Sequence, residues 1–208
     1  MFQRKPVTAL AMGLTLLVAC ANTTLTSTWR APEARAISLE GKSVAAVFVS
    51  NVESERRTGE SALARSLSAR GARGFGTFHL LPSAEHLDAD AAQARLRAAG
   101  ADAVVMMRVV RTDQRITYTP GTVIPATHRG FRPYWNSGWR TVYQPGTLRT
   151  DELVSVETLV YSLPADGNSQ LLWASSSRTT NPAGLDGLVR DAAEATASAM
   201  ANAGFLAR

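Results

Sequence analysis

Val44-Ala45-Ala46-Val47-Phe48-Val49 is an unbroken apolar run, and how it is read decides the fold. Such a run fits a short strand buried on both faces, as in a parallel sheet whose crossover helices keep water from each side. The residues downstream agree with this. From about Thr58 to Ala69 the composition is helical, with Leu63 and Leu67 four apart on one face, and Gly71 stands where a helix C-terminus needs a left-handed residue. Phe75–Leu81 reads as a second strand. Asp88 predicts the cap of a helix running to Ala99, with Ala92, Leu96 and Ala99 on one face and Gly100 closing it. Ala103–Val110 is a third strand, again rich in valine. The alternation predicts a β-α-β-α-β unit with right-handed crossovers and a parallel core.

Beyond Val110 the pattern changes. Leu153–Leu163 and Leu171–Ser177 are strand-like, and Asp166-Gly167-Asn168 between them is a hairpin signal. Val154, Val156 and Val160 fall on one face, Ser155 and Glu157 on the other, as in a half-buried antiparallel pair. Asn181-Pro182 predicts the cap and first-turn proline of a last helix. Its buried stripe is Leu185, Leu188, Val189, Ala192, Ala195 and Ala199. The expected fold class is α/β with an α+β second half. A βαβαβ unit is followed by an antiparallel hairpin and a C-terminal helix, in a single mixed sheet with packed helices.

Upstream of this fold, Met1–Pro6 contains Arg4 and Lys5 and no acid, and Val7–Ala19 is apolar except for Thr8, Gly13 and Thr15. A basic n-region followed by a short apolar h-region is a secretion signal. The stretch falls short of the roughly 20 residues of a membrane span. It ends in Leu17-Val18-Ala19-Cys20, which holds the only cysteine of the chain. Leucine three places before the cysteine and alanine just before it resemble a bacterial lipobox, in which the Cys20 thiolate takes up diacylglycerol. The expected organisation is a signal peptide over residues 1–19, a lipidated N-terminus and tether over 20–42, and a single α/β domain over 43–208. Thr24–Trp29 within the tether is expected to be extended, as an edge strand. The expected location is the cell envelope. Ala21, where an aspartate would signal retention, points to the outer membrane with the domain facing the periplasm.

The whole chain has 208 residues and a formal charge of +5, which falls to +3 without Arg4 and Lys5. With one cysteine there are no internal disulfides, so stability rests on packing. His79, His86 and His128 are scattered and have no cysteine near them in sequence, so no metal and no cofactor are expected.

A family resemblance rests on several of these segments together. The lipobox, Thr26-Ser27-Thr28-Trp29 with Pro32, the Val44–Val49 strand, Gly100-Ala-Asp-Ala-Val-Val105 and Leu172-Trp173-Ala174-Ser175 resemble uncharacterised proteobacterial lipoproteins with a domain of unknown function. The Gly-Ala-Asp-Ala-Val element is also similar to one in the N-terminal domain of the translocation protein TolB, where it leads from a helix into a strand. The resemblance implies a compact periplasmic α/β domain with no known enzymatic activity, and it carries no catalytic residues over.

Motifs for chemistry are weak. Gly71-Ala-Arg-Gly74-Phe-Gly76 follows a helix and precedes a strand, the reverse of a phosphate-binding turn, and reads as a helix end. No Gly-x-Ser-x-Gly elbow is present. His79 and His86, the latter beside Glu85, and Asp102 read as structural, so no catalytic residue is assigned.

The strongest functional signal is Arg108–Arg149, which holds seven arginines against Asp113 as its one acid. It is interleaved with aromatics and broken by four prolines and four glycines. A long loop is expected at about residues 116–148, and loops of that length are usually functional or disordered. Its candidate contact surface is Arg129, Arg132, Tyr134, Trp135, Trp139, Arg140 and Tyr143. Arginine forks suit phosphate or carboxylate, and Trp and Tyr suit surfaces that are half apolar and half wet. The expected partners are the membrane, through the lipid anchor, and an envelope protein, peptidoglycan or anionic lipid head groups. Nucleic acid is not expected in that compartment. The expected role is a non-enzymatic binding or envelope accessory module, with a hydrolase acting on an envelope polymer as the alternative. Labelled palmitate should be incorporated into the chain and lost in Cys20→Ser; absence of label from the unsubstituted chain would remove the lipoprotein reading.

Overall fold

In a computed structural model of the chain, residues 22–81, 88–121, 131–132, 145–165 and 168–207 are described. The elements in order are β1 (Asn22–Arg30), a 3-10 turn (Pro32–Ala36), β2 (Ser43–Val49), α1 (Glu53–Ser68) and β3 (Arg73–Gly76). They continue with α2 (Ala89–Ala98), β4 (Ala103–Thr119), β5 (Thr147–Ser162), β6 (Leu171–Thr180) and α3 (Gly184–Asn202). The six strands form one sheet in the order β1-β6-β5-β4-β2-β3. β2 is parallel to both β3 and β4, and every other pairing is antiparallel. This is the expected α/β class with a single mixed sheet.

Both faces of the parallel half are covered, which is why its strands read as unbroken apolar runs. On one face Phe48, Val105 and Val156 pack with Leu63 and Leu67 of α1 and Val189 and Met200 of α3. On the other, Ala45, Val47 and Val104 pack with Leu81 and with Leu96 of α2. Toward β1 no helix among the described residues covers this second face. Trp29, beside Ala174 in the register, remains 48 % exposed there. The end of β1 is held by Arg30, whose guanidinium lies 4.6 Å from the Phe205 ring centre and donates to the Ala34 carbonyl at 2.9 Å.

α1 lies close on the sheet because two glycines leave out a side chain. A Cβ on Gly59 would fall 2.3 Å from Cγ of Phe48, and one on Gly74 would fall 2.4 Å from the Ala64 carbonyl oxygen. The same helix buries an ion pair. Glu60 is wholly buried and Arg56 nearly so, with Arg56 Nη2 at 3.3 Å from Glu60 Oε1. The other Glu60 oxygen accepts the Thr77 amide at 2.6 Å, and Arg56 donates to the Leu81 carbonyl at 3.2 Å. The pair ties the segment after β3 onto α1, and its hydrogen bonds satisfy charges that burial would otherwise penalise.

Several sequence expectations need correction. α1 starts at Glu53, ahead of Thr58. Ser50 organises the first turn by accepting the Val52 amide at 3.1 Å and donating to Glu55 at 2.6 Å. The expectation starts only at Thr58 because Arg56 stands where an apolar residue of the helix face would be expected. β3 ends at Gly76, and Thr77–Leu80 turn, with Leu80 N–H donating to the Thr77 carbonyl at 2.8 Å. α3 starts at Gly184, so Pro182 is not its first-turn residue, and Asn181 serves β5 instead. Thr24–Trp29 is extended as expected, and the whole of Asn22–Arg30 belongs to the sheet edge.

Glu60→Ala should cost about 3–5 kcal/mol by leaving Arg56 buried without its partner. Arg56→Met combined with Glu60→Leu should lose far less. Denaturant unfolding of the three proteins checks both, and equal losses would show that the pairing itself does not matter.

Candidate contact surface

β4 and β5 outrun the rest of the sheet. β2 accompanies β4 only as far as Val49↔Arg108, and β6 accompanies β5 only from Leu153↔Thr180 inward. Beyond those points the two strands pair with each other alone, as far as Thr119↔Thr147. A two-stranded ribbon therefore leaves the sheet. It departs next to a bulge between Val109 and Arg111, a device that bends and twists a strand. Strand therefore extends into the region expected to be loop. Residues 116–119 and 147–148 lie in β4 and β5, because β-branched residues and charges alternate across the register in a way that suits a solvated antiparallel pair.

The alternation gives the ribbon two unlike faces. Ile116, Tyr118 and Leu148 share the side on which α1 and α3 lie, with Tyr118 directly opposite Leu148. They are 68 %, 62 % and 73 % exposed. The other side, followed from the last sheet rows out along the ribbon, is a ladder of charges. Arg108 meets Glu157 at 2.6 Å, Arg111 meets Asp113 at 2.8 Å and Arg149 meets Asp151 at 2.7 Å. Pairs as exposed as these contribute about 0–1 kcal/mol each, so they solubilise the ribbon more than they hold it.

The root of the ribbon is fastened by Asn181, whose φ of 51° is left-handed. Its amide donates to the Glu152 carbonyl at 2.8 Å and its side-chain oxygen accepts the Glu152 amide at 2.8 Å. Its Nδ2 donates to Asp151 at 2.7 Å. One residue thus continues the β6 ladder past the end of the strand. The Asp151 carboxyl is held below its usual range, first by the Asn181 hydrogen bond and then by Arg149, with Arg115 adding a smaller attraction and burial opposing. Asparagine before proline had suggested a helix cap, and nothing local in the sequence distinguishes the two roles.

Of the sequence-predicted contact residues, Arg132 is described and exposed. Arg129, Tyr134, Trp135, Trp139, Arg140 and Tyr143 lie outside the described residues, as do Cys20 and His86. The ribbon carries the segment they belong to, which joins Thr119 to Thr147. Sequence reasoning missed Ile116, Tyr118 and Leu148 as a cluster. Their period-2 spacing was visible, but their cross-strand pairing was not.

Elsewhere the surface offers less. His79 is exposed in the turn after β3, its ring 3.7 Å from that of Phe78. Asp102 is structural, accepting the Ser43 amide at 2.8 Å and lying 4.0 Å from Lys42. Beside it is an open groove of about 400 Å³ lined by Lys42, Arg97, Ser162 and Leu163, at the end of the sheet opposite the ribbon.

No family model matches this chain, and no curated protein matches it. Among solved structures it is similar to the PelC dodecamer from Paraburkholderia phytofirmans, at 14 % identity and a TM-score of 0.46 over 90 % of this chain and 99 % of that one. A point variant of that dodecamer in a second crystal form is similar at 14 % identity and a TM-score of 0.43, with the same coverage.

Asn181→Ala should return the Asp151 carboxyl toward the ordinary aspartate range, as read by NMR titration. A carboxyl held low in the folded state stabilises above its unfolded pKa, and that contribution disappears as pH falls through the folded value. The protection factors of amides at the ribbon root, which correct for the intrinsic pH dependence of exchange, should therefore fall in acid, and the Asn181→Ala protein should show less of this acid sensitivity. An unshifted Asp151 titration in the variant would reject the assignment.

Proposed function

We propose that the protein is a lipid-anchored, non-enzymatic module of the cell envelope. Cys20 holds it at the outer membrane, and its contact surface is the β4–β5 ribbon with the arginine- and aromatic-rich segment the ribbon carries. The observation that carries this reading is the ribbon itself. An isolated two-stranded ribbon is marginal in water, and this one displays three large apolar side chains that are each more than 60 % exposed. Residues 114–150 add five arginines and no acid.

Such a surface suits an anionic partner with apolar portions. Lipid head groups, peptidoglycan and acidic envelope proteins share that chemistry. The extent of β4 and β5 supports a role in contact, since strands that only closed the core would end where β2 and β6 end.

The test is charge reversal of Arg129, Arg132 and Arg140 together to glutamate. With the lipid anchor removed, the reversed protein should bind isolated envelope fractions more weakly by tenfold or more, at about 1 kcal/mol for each basic residue near an anionic surface. Unchanged binding would rule out this surface.

A further inference from the structure

We propose that the apolar face of the ribbon, Ile116, Tyr118 and Leu148, is a second membrane contact that sits in the interfacial layer of the bilayer holding the lipid anchor. The inference rests on the lipoprotein reading and adds to it an orientation and a ligand, a lipid surface with anionic head groups.

The chain enters the sheet at Asn22, the first residue of β1. Asn22 pairs with Thr180, Thr180 with Leu153, and Leu153 with Asp113. The start of β1 is therefore level with the root of the ribbon, at the same end of the sheet. Cys20 precedes Asn22 by two residues, a reach of at most about 7 Å. From Asp113 to Thr119 the ribbon advances six residues beyond that level, or about 20 Å at 3.4 Å per residue. Two steps of sheet twist between β1 and β5 turn the ribbon by about 50° from β1. An advance of about 13 Å remains after that turn. The ribbon therefore reaches farther past the sheet than the acylated residue can. A domain held at Cys20 with this end toward the bilayer brings the ribbon into its surface layer.

The side chains fit that position. Tyr118 is flanked by Ile116 along the strand and faces Leu148 across it, all strongly exposed. An amphipathic ring between aliphatic neighbours suits the head-group layer, where tyrosine and tryptophan concentrate. Arg115 and Arg149 lie on the opposite face of the same ribbon, and their positive charge favours approach to anionic head groups. Among the described residues, no further strand pairs with the ribbon's outer backbone edges beyond the Asn181 clamp, which excludes the hydrocarbon core and favours the hydrated interface.

The experiment uses the full, processed protein. Acylated Cys20 leaves no free thiol, so Leu148→Cys supplies a single site for an environment-sensitive dye. Glu40→Cys, exposed at the opposite end of the sheet, is the control. Both proteins are reconstituted into vesicles of phosphatidylethanolamine and phosphatidylglycerol that contain head-group spin-labelled lipid. The dye at residue 148 should shift to shorter wavelength and be quenched, and the dye at residue 40 should do neither. Ile116→Ser with Tyr118→Ser, both at exposed positions, should abolish the shift while the protein still floats with the vesicles. Equal, water-like emission from the two sites in anchored protein overturns the proposal. So does a shift that appears without lipid and grows with protein concentration, which would assign the face to a second copy of the chain, or one that needs added envelope protein. Palmitate labelling reports the anchor separately. If no acylation occurs, the Leu148→Cys chain carrying Cys20→Ser, so that residue 148 is again the single thiol, is labelled and mixed with the same vesicles, and flotation with a shifted dye supports the ribbon contact while its absence overturns it.

Discussion

The hydrogen-bond ladder between β4 and β5 is the constraint on which the other features depend. β4 is the seam of the sheet, parallel to β2 on one side and antiparallel to β5 on the other. The βαβαβ half and the hairpin half meet there, and one continuous core runs beneath both. Because the ladder outlasts every neighbouring strand, the same interaction that closes the core also builds the ribbon. Its inner part is stabilised by burial of Val105, Met107, Val156 and Val160. Its outer part has only backbone bonds, exposed ion pairs and the Asn181 clamp.

α1 is fitted to this sheet by an absence and a charge. Gly59 lets the helix axis approach Phe48, and the buried Arg56–Glu60 pair fixes the turn that follows β3. Both lie at the edge where the parallel strands are covered on two sides. A side chain at residue 59 or an unpartnered charge at residue 56 would have to be absorbed by a core with no room for it. The helical layer is therefore rigid where the ribbon is solvated. That division suits a domain that stays folded while one protruding element meets a partner.

Much of the fold was legible because local patterns and tertiary burial agreed. The apolar runs at Val44 and Ala103, the glycines after α1 and α2, and the Val154/Val156/Val160 alternation each named an element that is present. The contact surface was legible only in part. Its arginines and aromatics stand out by composition, but Ile116–Thr119 falls within the expected loop because polar and β-branched residues alternate there without an apolar run. Only a strand partner makes such a segment a strand. Asn181 was read as a helix cap for the same reason, since its bonding partner is 29 residues away in Glu152.

By itself the sequence determined the α/β class, the parallel core and the hairpin that follows it. It also shows a lone cysteine after an apolar N-terminal run and a dense cluster of arginines and aromatics between two strands. These follow from hydrophobic period and turn chemistry, which act over a few residues. The tertiary structure decided that β4 and β5 leave the sheet as a ribbon, that Ile116, Tyr118 and Leu148 meet on one face, and that this face lies at the same end as the start of β1. Register and strand order join residues more than 100 positions apart, as in Asn22 and Thr180, and no local pattern encodes which distant segments will share a ladder.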